Sequence, residues 1–592
     1  MKKTFSILGV SIALMLSGNL ALADSVSKHP ENLLVSANNL PETDSILYID
    51  ARSGKSSNAF IPNSIRIDWQ KFYQNQNVKS VSEISNLLGN YGISGKEQIV
   101  IYDDGAGKGH ASMIFWLLDL AGHPNVKVLD GGWQAYQKSG LKTTTKPVNV
   151  KATQFSATAK PQAVMGMKDV LTHYGDYDLK IIDPRSDEEY LGWALHGEKR
   201  GGHIRAAMNF NPSWAYNADG TLKEISKVRT LMKQKGLTSE KSFLTYSNLD
   251  ARGTDMYFLL RLMGYKDVAN MGFSYNTWAE GHRLPVSAAP NHTSLVSPEW
   301  VNQLISTGKA PTYNNKKFLV LEASWGTLEK AAKDYKTGHI PGAVHFDTDN
   351  FENEKHYWDL FEFDELAANF AKMGIDKDTT VIVYSHEPSP IAASISFWAL
   401  KYAGVDVRLL NGNFDRWKQK GLPIETKINQ PQPVASLGLS KPVNPQYAVS
   451  TDQAKQILAN ANGRMVSIRS WEEYTGQVSR HSYIKAKGEL DGSYWGRAGF
   501  GANKSDLSFY TDPDGSYRSY TEVEKMWSDL DIRPNNKIAF YCGTGSRGST
   551  GWFFSYLMGW PDTALYDSGW FGWSEGKEVS PNPSQRLWDM AK

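Results

Sequence analysis

The sequence is almost without cysteine. Cys542 is the only cysteine among 592 residues. An internal disulfide is therefore excluded, and packed cores must stabilise the chain. A lone cysteine is either an inert buried thiol or a chemically active one, and composition alone leaves both readings open.

The chain also lacks a long apolar run beyond its first residues. Residues 1–23 have a basic start, an apolar run over 5–16 and an Ala-Leu-Ala sequence ending at Ala23. The run is too short to span a bilayer. The pattern instead predicts a cleaved signal peptide over 1–23, export to the periplasm, and no membrane association after cleavage.

A surplus of charge is absent as well. Without Lys2 and Lys3 of the leader, the chain has 62 basic and 62 acidic residues. This balance argues against nucleic acid or an anionic membrane as a partner, because both require a basic surface. Hydrophobic residues make up 41% of the chain, which is enough for folded cores, and its length indicates several domains.

One pattern occurs four times along the chain. Each copy has a central apolar stretch with helical apolar spacing before and after it, a further apolar stretch upstream, and an aromatic turn at its end. The central stretches lead to Tyr102, Tyr246, Tyr384 and Tyr541. Alternating strands and helices predict an α/β fold in which a small parallel sheet is flanked by helices. We expect four tandem domains over residues 38–145, 163–288, 297–427 and 447–580.

Cys542 lies where the central strand of the fourth unit ends, in YCGTGSRGST (541–550). Ligands of parallel sheets bind beyond the carboxyl ends of the strands. Three glycines let this loop curl so that backbone N–H groups point inward, and a helix beginning near Gly548 adds its positive end. Such donors favour the thiolate, so we predict a nucleophilic cysteine. The predicted binding residues of the loop are Gly543, Thr544, Gly545, Ser546, Arg547 and Gly548.

The other three units have no cysteine at the matching strand ends. Asp103, Ser247 and Ser385 occupy these positions. None of these side chains is a thiol nucleophile, and the charge of Asp103 would repel an anionic ligand. We therefore expect the first three domains to be catalytically inactive.

These motifs resemble the rhodanese family. GHIPGA at 338–343, LDGGW at 129–133 and GGHI at 201–204 are typical of it. KGELDGSYWGRAG (487–499) with FYCGTGSR (540–547) is similar to the last domain of periplasmic multidomain thiosulfate sulfurtransferases. The resemblance implies that Cys542 carries sulfur from thiosulfate, as a persulfide, to a thiophilic acceptor such as cyanide or a thiol. It implies neither a cofactor nor a metal, and a sulfur-accepting protein would be a further partner.

The resemblance also implies roles for arginines. Arg547 would bind the sulfonate end of thiosulfate, and Arg469, at the end of the first strand of the unit, would face the pocket. The family usually has Asp-x-Arg there, whereas this chain has Ser467 two residues before Arg469. The role of Arg469 therefore stays open, as does that of Arg497.

Other functions stay open at this point. The start of the loop also fits a 3-mercaptopyruvate sulfurtransferase. A cysteine-dependent phosphatase typically has its arginine six residues after the cysteine, whereas Arg547 follows Cys542 by five. Because three units lack the nucleophile, a non-catalytic binding or scaffold protein is the alternative from another class.

Overall fold

A computed structural model of the chain describes residues 32–40, 45–52, 58–105, 110–238, 241–330, 332–353, 358–386, 390–499 and 506–574. The predicted signal peptide lies outside these residues. No helix within the described ranges is long and apolar enough to cross a membrane. The chain forms two compact units, one of residues 1–190 and 194–287 and one of residues 191–193 and 288–592.

The first unit contains two parallel sheets. In the first sheet the strands lie in the order Leu34–Val35, Val126–Leu129, Gln98–Tyr102, Ile46–Asp50 and Ser64–Arg66. Its helices are Val81–Asn90, His110–Leu120 and Gly132–Lys138. Ser80 and Glu83 form a capping box that fixes the start of the first of these helices.

The second sheet has the same order of strands when it is read from the opposite edge. These are Met208–Asn209, Leu179–Asp183, Ser242–Thr245, Val268–Met271 and Val164–Met165. The helices around it are Met167–His173, Asp187–Leu191, Ile225–Gln234, Arg252–Leu262 and Tyr275–Glu280. Short antiparallel pairs join His203–Ile204 to Val286–Ser287 and Tyr73–Gln74 to Asn77–Val78.

The second unit repeats the plan twice. Its first sheet contains Leu295–Val296, Asp406–Leu410, Thr379–Tyr384, Lys317–Ser324 and Val344–Asp347, with helices Pro298–Thr307, Ala332–Thr337, Phe363–Lys372, Ile391–Ala403 and Asn413–Gln419. Its second sheet contains Tyr494–Trp495, Gly463–Ser467, Lys537–Tyr541 and Thr563–Leu565, with helices Thr451–Ala459, Trp471–Tyr474, Tyr520–Ser528, Ser546–Leu557 and Gly569–Ser574. The predicted α/β class, with small parallel sheets flanked by helices, is confirmed.

One of the repeated tyrosines lies at the end of the central strand in each of the four sheets. All four are fully buried at or directly after the end of the central strand. In the first three sheets the tyrosine hydroxyl accepts the backbone N–H of Ile61, Ile204 or Ile340, at 3.1–3.4 Å. In the fourth sheet Tyr541 instead donates to Glu489 at 2.6 Å. Each of these hydrogen bonds offsets the cost of burying a hydroxyl group, so tyrosine can occupy this fully buried position.

Within each unit, the helices that follow the two central strands pack against each other. Phe115 meets Phe258 in the first unit, and Phe397 meets Phe553 in the second, both with ring centroids 5.0 Å apart. Nearly all residues of these helices are buried, because each helix lies between its own sheet and the partner helix. In the second unit this packing brings the third and fourth domains together.

Candidate active site

Cys542 directly follows the strand Lys537–Tyr541, and its side chain is buried. The backbone N–H of Arg547 donates to the Cys542 Sγ atom at 3.2 Å. The next helix begins at Ser546, two residues earlier than the predicted start near Gly548. The sulfur therefore lies at a helix N-terminus, where an N–H donor and the positive end of the helix stabilise negative charge on it.

Two loop glycines are required by the backbone. Gly545 has a φ of 77°, and a Cβ there would lie 2.7 Å from the Asp567 Cα. A Cβ on Gly548 would lie 2.8 Å from the Cα of Tyr541, because the helix crosses close to the end of the strand. Both positions exclude a larger side chain without a shift of backbone, so the sequence holds the loop in one tight conformation.

The guanidinium of Arg547 is paired with a buried carboxylate. Nη1 and Nη2 donate to the two oxygens of Glu473 at 2.8 and 2.9 Å, and both side chains are buried. Burial alone would lower the pKa of Arg547, but the charge of Glu473 raises it above its ordinary value. Burial would raise the pKa of Glu473, but Arg547 and Arg469 lower it well below its ordinary value. The pair is thus a fixed ion pair that anchors the loop.

Glu473 is also held by its own helix. Ser470 and Glu473 form a capping box: the Ser470 N–H donates to the glutamate, and the Glu473 N–H donates to the serine hydroxyl at 3.3 Å. The Ser-x-x-Glu spacing is the local signal for this box. A short helix, Trp471–Tyr474, therefore presents the carboxylate that receives Arg547.

Arg469 binds a carboxylate from a different loop. Its Nη1 donates to Glu489 at 3.1 Å and to the carbonyl of Gly488 at 2.7 Å. The same carboxylate accepts the hydroxyls of Ser467, at 2.7 Å, and Tyr541, at 2.6 Å. Glu489 thus provides the negative charge that an Asp-x-Arg sequence would carry on the strand itself.

The second domain has the Asp-x-Arg arrangement. There Asp183, on the strand, accepts from Arg185 and from Tyr246 at 2.6–2.9 Å, and His203 takes the loop position that Glu489 holds in the fourth domain. Arg185 also donates to Gly202 O at 2.6 Å, as Arg469 does to Gly488. In the fourth domain the carboxylate therefore comes from the loop rather than from the strand, and it makes the same hydrogen bonds to an arginine and a tyrosine.

In the first and third domains, the residue at the position of Cys542 makes hydrogen bonds within the protein. The Asp103 carboxylate accepts the N–H groups of Gly105 at 2.8 Å and Ala111 at 3.1 Å, so it occupies donors that could otherwise face a ligand anion. The Ser385 hydroxyl donates to the Asn413 side chain at 3.2 Å. These contacts give both side chains a structural role.

Ser247 lies in a loop that keeps the arginine but not the cysteine. The Gly253 N–H donates to its hydroxyl at 3.1 Å. Arg252, five residues after Ser247, forms an ion pair with Glu189. This pair corresponds to Arg547 and Glu473, so the loop is anchored in the same way in both domains, but the fourth has a thiol where the second has the Ser247 hydroxyl.

The third domain contributes to the surroundings of Cys542. The Leu360 N–H donates to Asp567, in the fourth domain, at 2.8 Å. Burial, followed by the charge of Asp359, raises the pKa of Asp567 to about 7. Burial also raises the pKa of Glu352 well above its ordinary value, with Asp567 and Cys542 as the next causes. None of these carboxyl groups stood out in the sequence.

The remaining predicted residues lie as follows. Gly543 is buried, and a Cβ there would meet the His481 ring at 3.1 Å. Thr544 is buried beside Tyr483, and Ser546 is partly exposed. Arg497 is partly exposed outside the loop, two residues after the strand Tyr494–Trp495. The structure thus brings together the loop and Arg469, and Glu473 joins the two arginines. Whether these residues bind substrate stays a prediction.

A parallel sheet with a cysteine at the end of its central strand, in a loop anchored at a helix N-terminus, defines a class of α/β proteins that handle sulfur or oxyanions at that thiol. The chain belongs to the rhodanese-like domain family. The family model matches residues 35–139, 167–281, 298–420 and 450–576, one match for each of the four repeats. The family predicted from the motifs is thereby confirmed.

Two relatives show how far the similarity extends. The thiosulfate sulfurtransferase YnjE of Escherichia coli (strain K12) is 34% identical over 418 residues, which cover 70% of this chain and 91% of YnjE. The sulfur carrier protein TtuD of Thermus thermophilus is 30% identical over 290 residues, 47% of this chain and 93% of TtuD. Both relatives are therefore named for the transfer or the carriage of sulfur.

A solved structure gives a further comparison. The anaerobic ergothioneine biosynthesis enzyme from Chlorobium limicola, in complex with trimethyl histidine, is 31% identical with a TM-score of 0.66. The match covers 71% of this chain and 99% of that enzyme. A structure of an EanB variant, also 31% identical and with a TM-score of 0.64, holds a cysteine persulfide in a tetrahedral intermediate state with ergothioneine.

Proposed function

We propose that this protein is a periplasmic sulfurtransferase that takes the sulfane sulfur of thiosulfate onto Cys542 and passes it to a thiophilic acceptor. The observation that carries the proposal is the Arg547 N–H directed at the Cys542 Sγ atom, 3.2 Å away, at the end of the central strand. The relation to YnjE supports thiosulfate as the donor.

The first half of the reaction loads the cysteine. The Cys542 thiolate attacks the outer sulfur of thiosulfate, the S–S bond breaks, and its electron pair leaves with sulfite. The new persulfide anion lies where the Arg547 N–H and the helix N-terminus stabilise negative charge. The ion pair with Glu473 fixes the loop in the conformation that both half-reactions need.

The second half returns the thiolate. The acceptor attacks the outer sulfur of the persulfide, and the electron pair of the broken bond stays on Cys542. Glu473 already holds the Arg547 guanidinium at both of its terminal nitrogens. The predicted contact of Arg547 with the sulfonate would therefore use N–H groups directed away from that carboxylate.

Formation of thiocyanate from thiosulfate and cyanide tests this function. The wild type should show a rate well above the Cys542→Ser variant. Equal rates of thiocyanate formation in the wild type and Cys542→Ser would favour the non-catalytic scaffold protein. Activity with 3-mercaptopyruvate but not with thiosulfate would identify 3-mercaptopyruvate as the sulfur donor. Phosphate release from an aryl phosphate, lost in Cys542→Ser, would favour the phosphatase.

In a second candidate function, the sulfur passes from Cys542 to a carbon atom of the acceptor. The match to the Chlorobium limicola enzyme, which binds trimethyl histidine, favours it because 71% of this chain is covered. Incubation of the persulfide form with trimethyl histidine, followed by mass spectrometry of the small molecules, separates the candidates. A sulfur-containing product would support transfer to carbon.

A further inference from the structure

Tyr483 makes a hydrogen bond with the loop that carries the cysteine. We call residues 542–548 the cysteine loop. The hydroxyls of Tyr483 and Thr544 are bonded to each other, and Thr544 follows Cys542 by two residues. Thr544 and Cys542 are buried, whereas Tyr483 is 36% exposed. Tyr483 therefore reaches from the solvent to the interior of the cysteine loop.

The chain around Tyr483 packs directly on the cysteine loop. A Cβ on Gly543 would lie 3.1 Å from side-chain atoms of both His481 and Ile484, which flank Tyr483 in the sequence. The Ile484 N–H donates to the His481 carbonyl at 3.2 Å, so residues 481–484 form a tight turn. These contacts fix the backbone of Tyr483 beside the cysteine loop, and its ring is fixed by other groups.

Two further aromatic rings hold the ring of Tyr483. Phe571, of the fourth domain, meets it edge-on with ring centroids 5.9 Å apart, and the Phe571 N–H donates to the Gly543 carbonyl at 2.9 Å. Trp358, of the third domain, stacks on it with ring centroids 4.5 Å apart and meets Phe571 at 5.8 Å. Such stacked and edge-on pairs attract each other beyond the effect of their burial. We call Trp358, Tyr483 and Phe571 the aromatic cluster.

The backbone of Trp358 is held in an unusual conformation. Its φ is 58°, in the left-handed region that a bulky residue rarely adopts. The Trp358 N–H donates to the Asn353 carbonyl at 2.9 Å, and the N–H of Leu360 donates to Asp567 of the fourth domain at 2.8 Å. A strained backbone persists only where its surroundings stabilise it, and such residues are concentrated at functional sites. The fold thus retains this strain where it places the indole ring on Tyr483.

The attachment of the two domains to each other does not account for Trp358. They are already joined by the buried helices that contain Phe397 and Phe553. Trp358 is only partly buried, so it adds little apolar area to that interface. It contacts instead a side chain that is bonded to the cysteine loop, which indicates a role at the active site.

We propose that Trp358 is a positioning residue for the active site of the fourth domain, because it holds Tyr483 in the hydrogen bond to Thr544 and so fixes the cysteine loop. The third domain, although it has no cysteine, then contributes to sulfur transfer. This inference rests on the proposed function for the rate of sulfur loading, but the positioning of the loop can be tested without a sulfur donor.

The hydroxyl of Tyr483 is suited to this contact. Burial, as the main cause, raises the pKa of Tyr483 to about 12, so the hydroxyl keeps its proton at neutral pH. A protonated hydroxyl can both donate and accept a hydrogen bond. It can therefore stay bonded to Thr544 whichever way the threonine hydroxyl turns.

The expected effect is on the rate of sulfur loading rather than on the affinity for thiosulfate. Thr544 lies between Cys542 and Arg547 in the cysteine loop, and the Arg547 N–H donates to the Cys542 Sγ atom. Release of Thr544 would loosen this donor, which the attacking sulfur and the persulfide both need. The maximal rate of loading should therefore fall, whereas the thiosulfate concentration that gives half of that rate should not change.

Rates of persulfide formation, followed by intact-protein mass spectrometry, give the first test. Trp358→Leu and Tyr483→Phe should each slow loading about fivefold to tenfold, the size expected for one lost hydrogen bond. The double variant should be no slower than Tyr483→Phe, since Trp358 acts through the hydroxyl that this variant lacks. Trp358→Phe keeps a ring for stacking and should recover most of the rate. Trp325→Leu, which removes a half-exposed tryptophan of the same domain outside the aromatic cluster, is the control and should load like the wild type.

Hydrogen exchange gives a second test that needs no sulfur donor. Peptides that contain Cys542 and Thr544 should exchange faster in Trp358→Leu and in Tyr483→Phe than in the wild type, and Trp325→Leu should leave their exchange unchanged. Because Tyr483→Phe removes a single oxygen atom, it tests the proposal even if Trp358→Leu fails to fold.

The outcomes separate this inference from the proposed function. Normal loading in Tyr483→Phe, additive losses in the double variant, or no recovery in Trp358→Phe would overturn the positioning role. A wild type that gains no sulfur from thiosulfate, together with the expected differences in exchange, would overturn the proposed function instead and support the positioning role.

Discussion

The guanidinium of Arg547 donates both terminal nitrogens to the carboxylate of Glu473, at 2.8 and 2.9 Å, in the buried interior of the fourth domain. The ion pair connects the cysteine loop to a short helix on the other side of the site. A residue expected from the sequence to receive substrate thus also fixes the loop itself.

Glu473→Gln should destabilise the cysteine loop. The variant leaves the buried Arg547 charge without its carboxylate, a change that costs about 3 to 5 kcal/mol. Hydrogen exchange over peptides that contain Cys542 should show faster opening, and persulfide formation should slow.

Glu189→Gln is the matched control. It removes the corresponding carboxylate in the second domain, where the Arg252 side chain is 30% exposed and keeps Asp250 as a second partner. We expect a smaller effect on exchange there and none on sulfur loading. Equal loss of loading in both variants would contradict a local role for Glu473.

A pair of substitutions can place the carboxylate that binds Arg469 on the strand instead of in the loop. Glu489→His alone removes the acceptor for Arg469, Ser467 and Tyr541, with a loss of about 3 kcal/mol or more. Adding Ser467→Asp recreates the arrangement of Asp183 and His203. Denaturant unfolding should show that the double variant recovers most of the loss. A double variant as unstable as Glu489→His would mean that Glu489 does not replace the strand carboxylate.

The stability of the fourth domain should fall as pH rises from about 4 to about 7 because of Asp567. The pKa of this carboxyl is about 7 in the folded protein, above its ordinary value of 3.8, so the folded state holds the proton more tightly than the unfolded state. Its contribution decreases by at most about 1.4 kcal/mol per pH unit in this window. Urea unfolding at several pH values should give a shallower decrease in Asp567→Asn. An unchanged slope would contradict the raised pKa.

Gly548→Ala tests the close approach of helix and strand. The added Cβ would lie 2.8 Å from Tyr541 Cα and 2.9 Å from a Leu565 methyl group, and such overpacking costs about 1 to 3 kcal/mol. Gly253→Ala, where the Cβ would lie 2.9 Å from Asn270, is the equivalent change in the second domain. Both variants should lose stability, but only Gly548→Ala should slow sulfur loading. Normal loading in Gly548→Ala would show that loop geometry is not critical.

The fold could be predicted from the sequence because each repeat has local signals. Apolar stretches that end in tyrosine mark the central strands, and the structure places all four tyrosines in the cores. Boundaries were less predictable: the helix after Cys542 begins at Ser546, because Gly545 turns the chain before Gly548 is reached.

The cysteine and its loop are local features, but the partners of the loop are not. Glu473 lies 74 residues before Arg547, and the Ser-x-x-Glu spacing indicates only its capping role. The matching pair of Glu189 and Arg252 in the second repeat was the available signal. Glu352 could not be predicted, because its relation to Cys542 depends on how the third domain packs against the fourth.

The central claim is that Cys542 carries the sulfur, and intact-protein mass spectrometry after exposure to thiosulfate tests it most directly. The wild type should gain the mass of one sulfur atom, lose it on addition of cyanide, and show no such gain as Cys542→Ser. A wild type that gains no sulfur, or a Cys542→Ser variant that gains as much, would contradict the account.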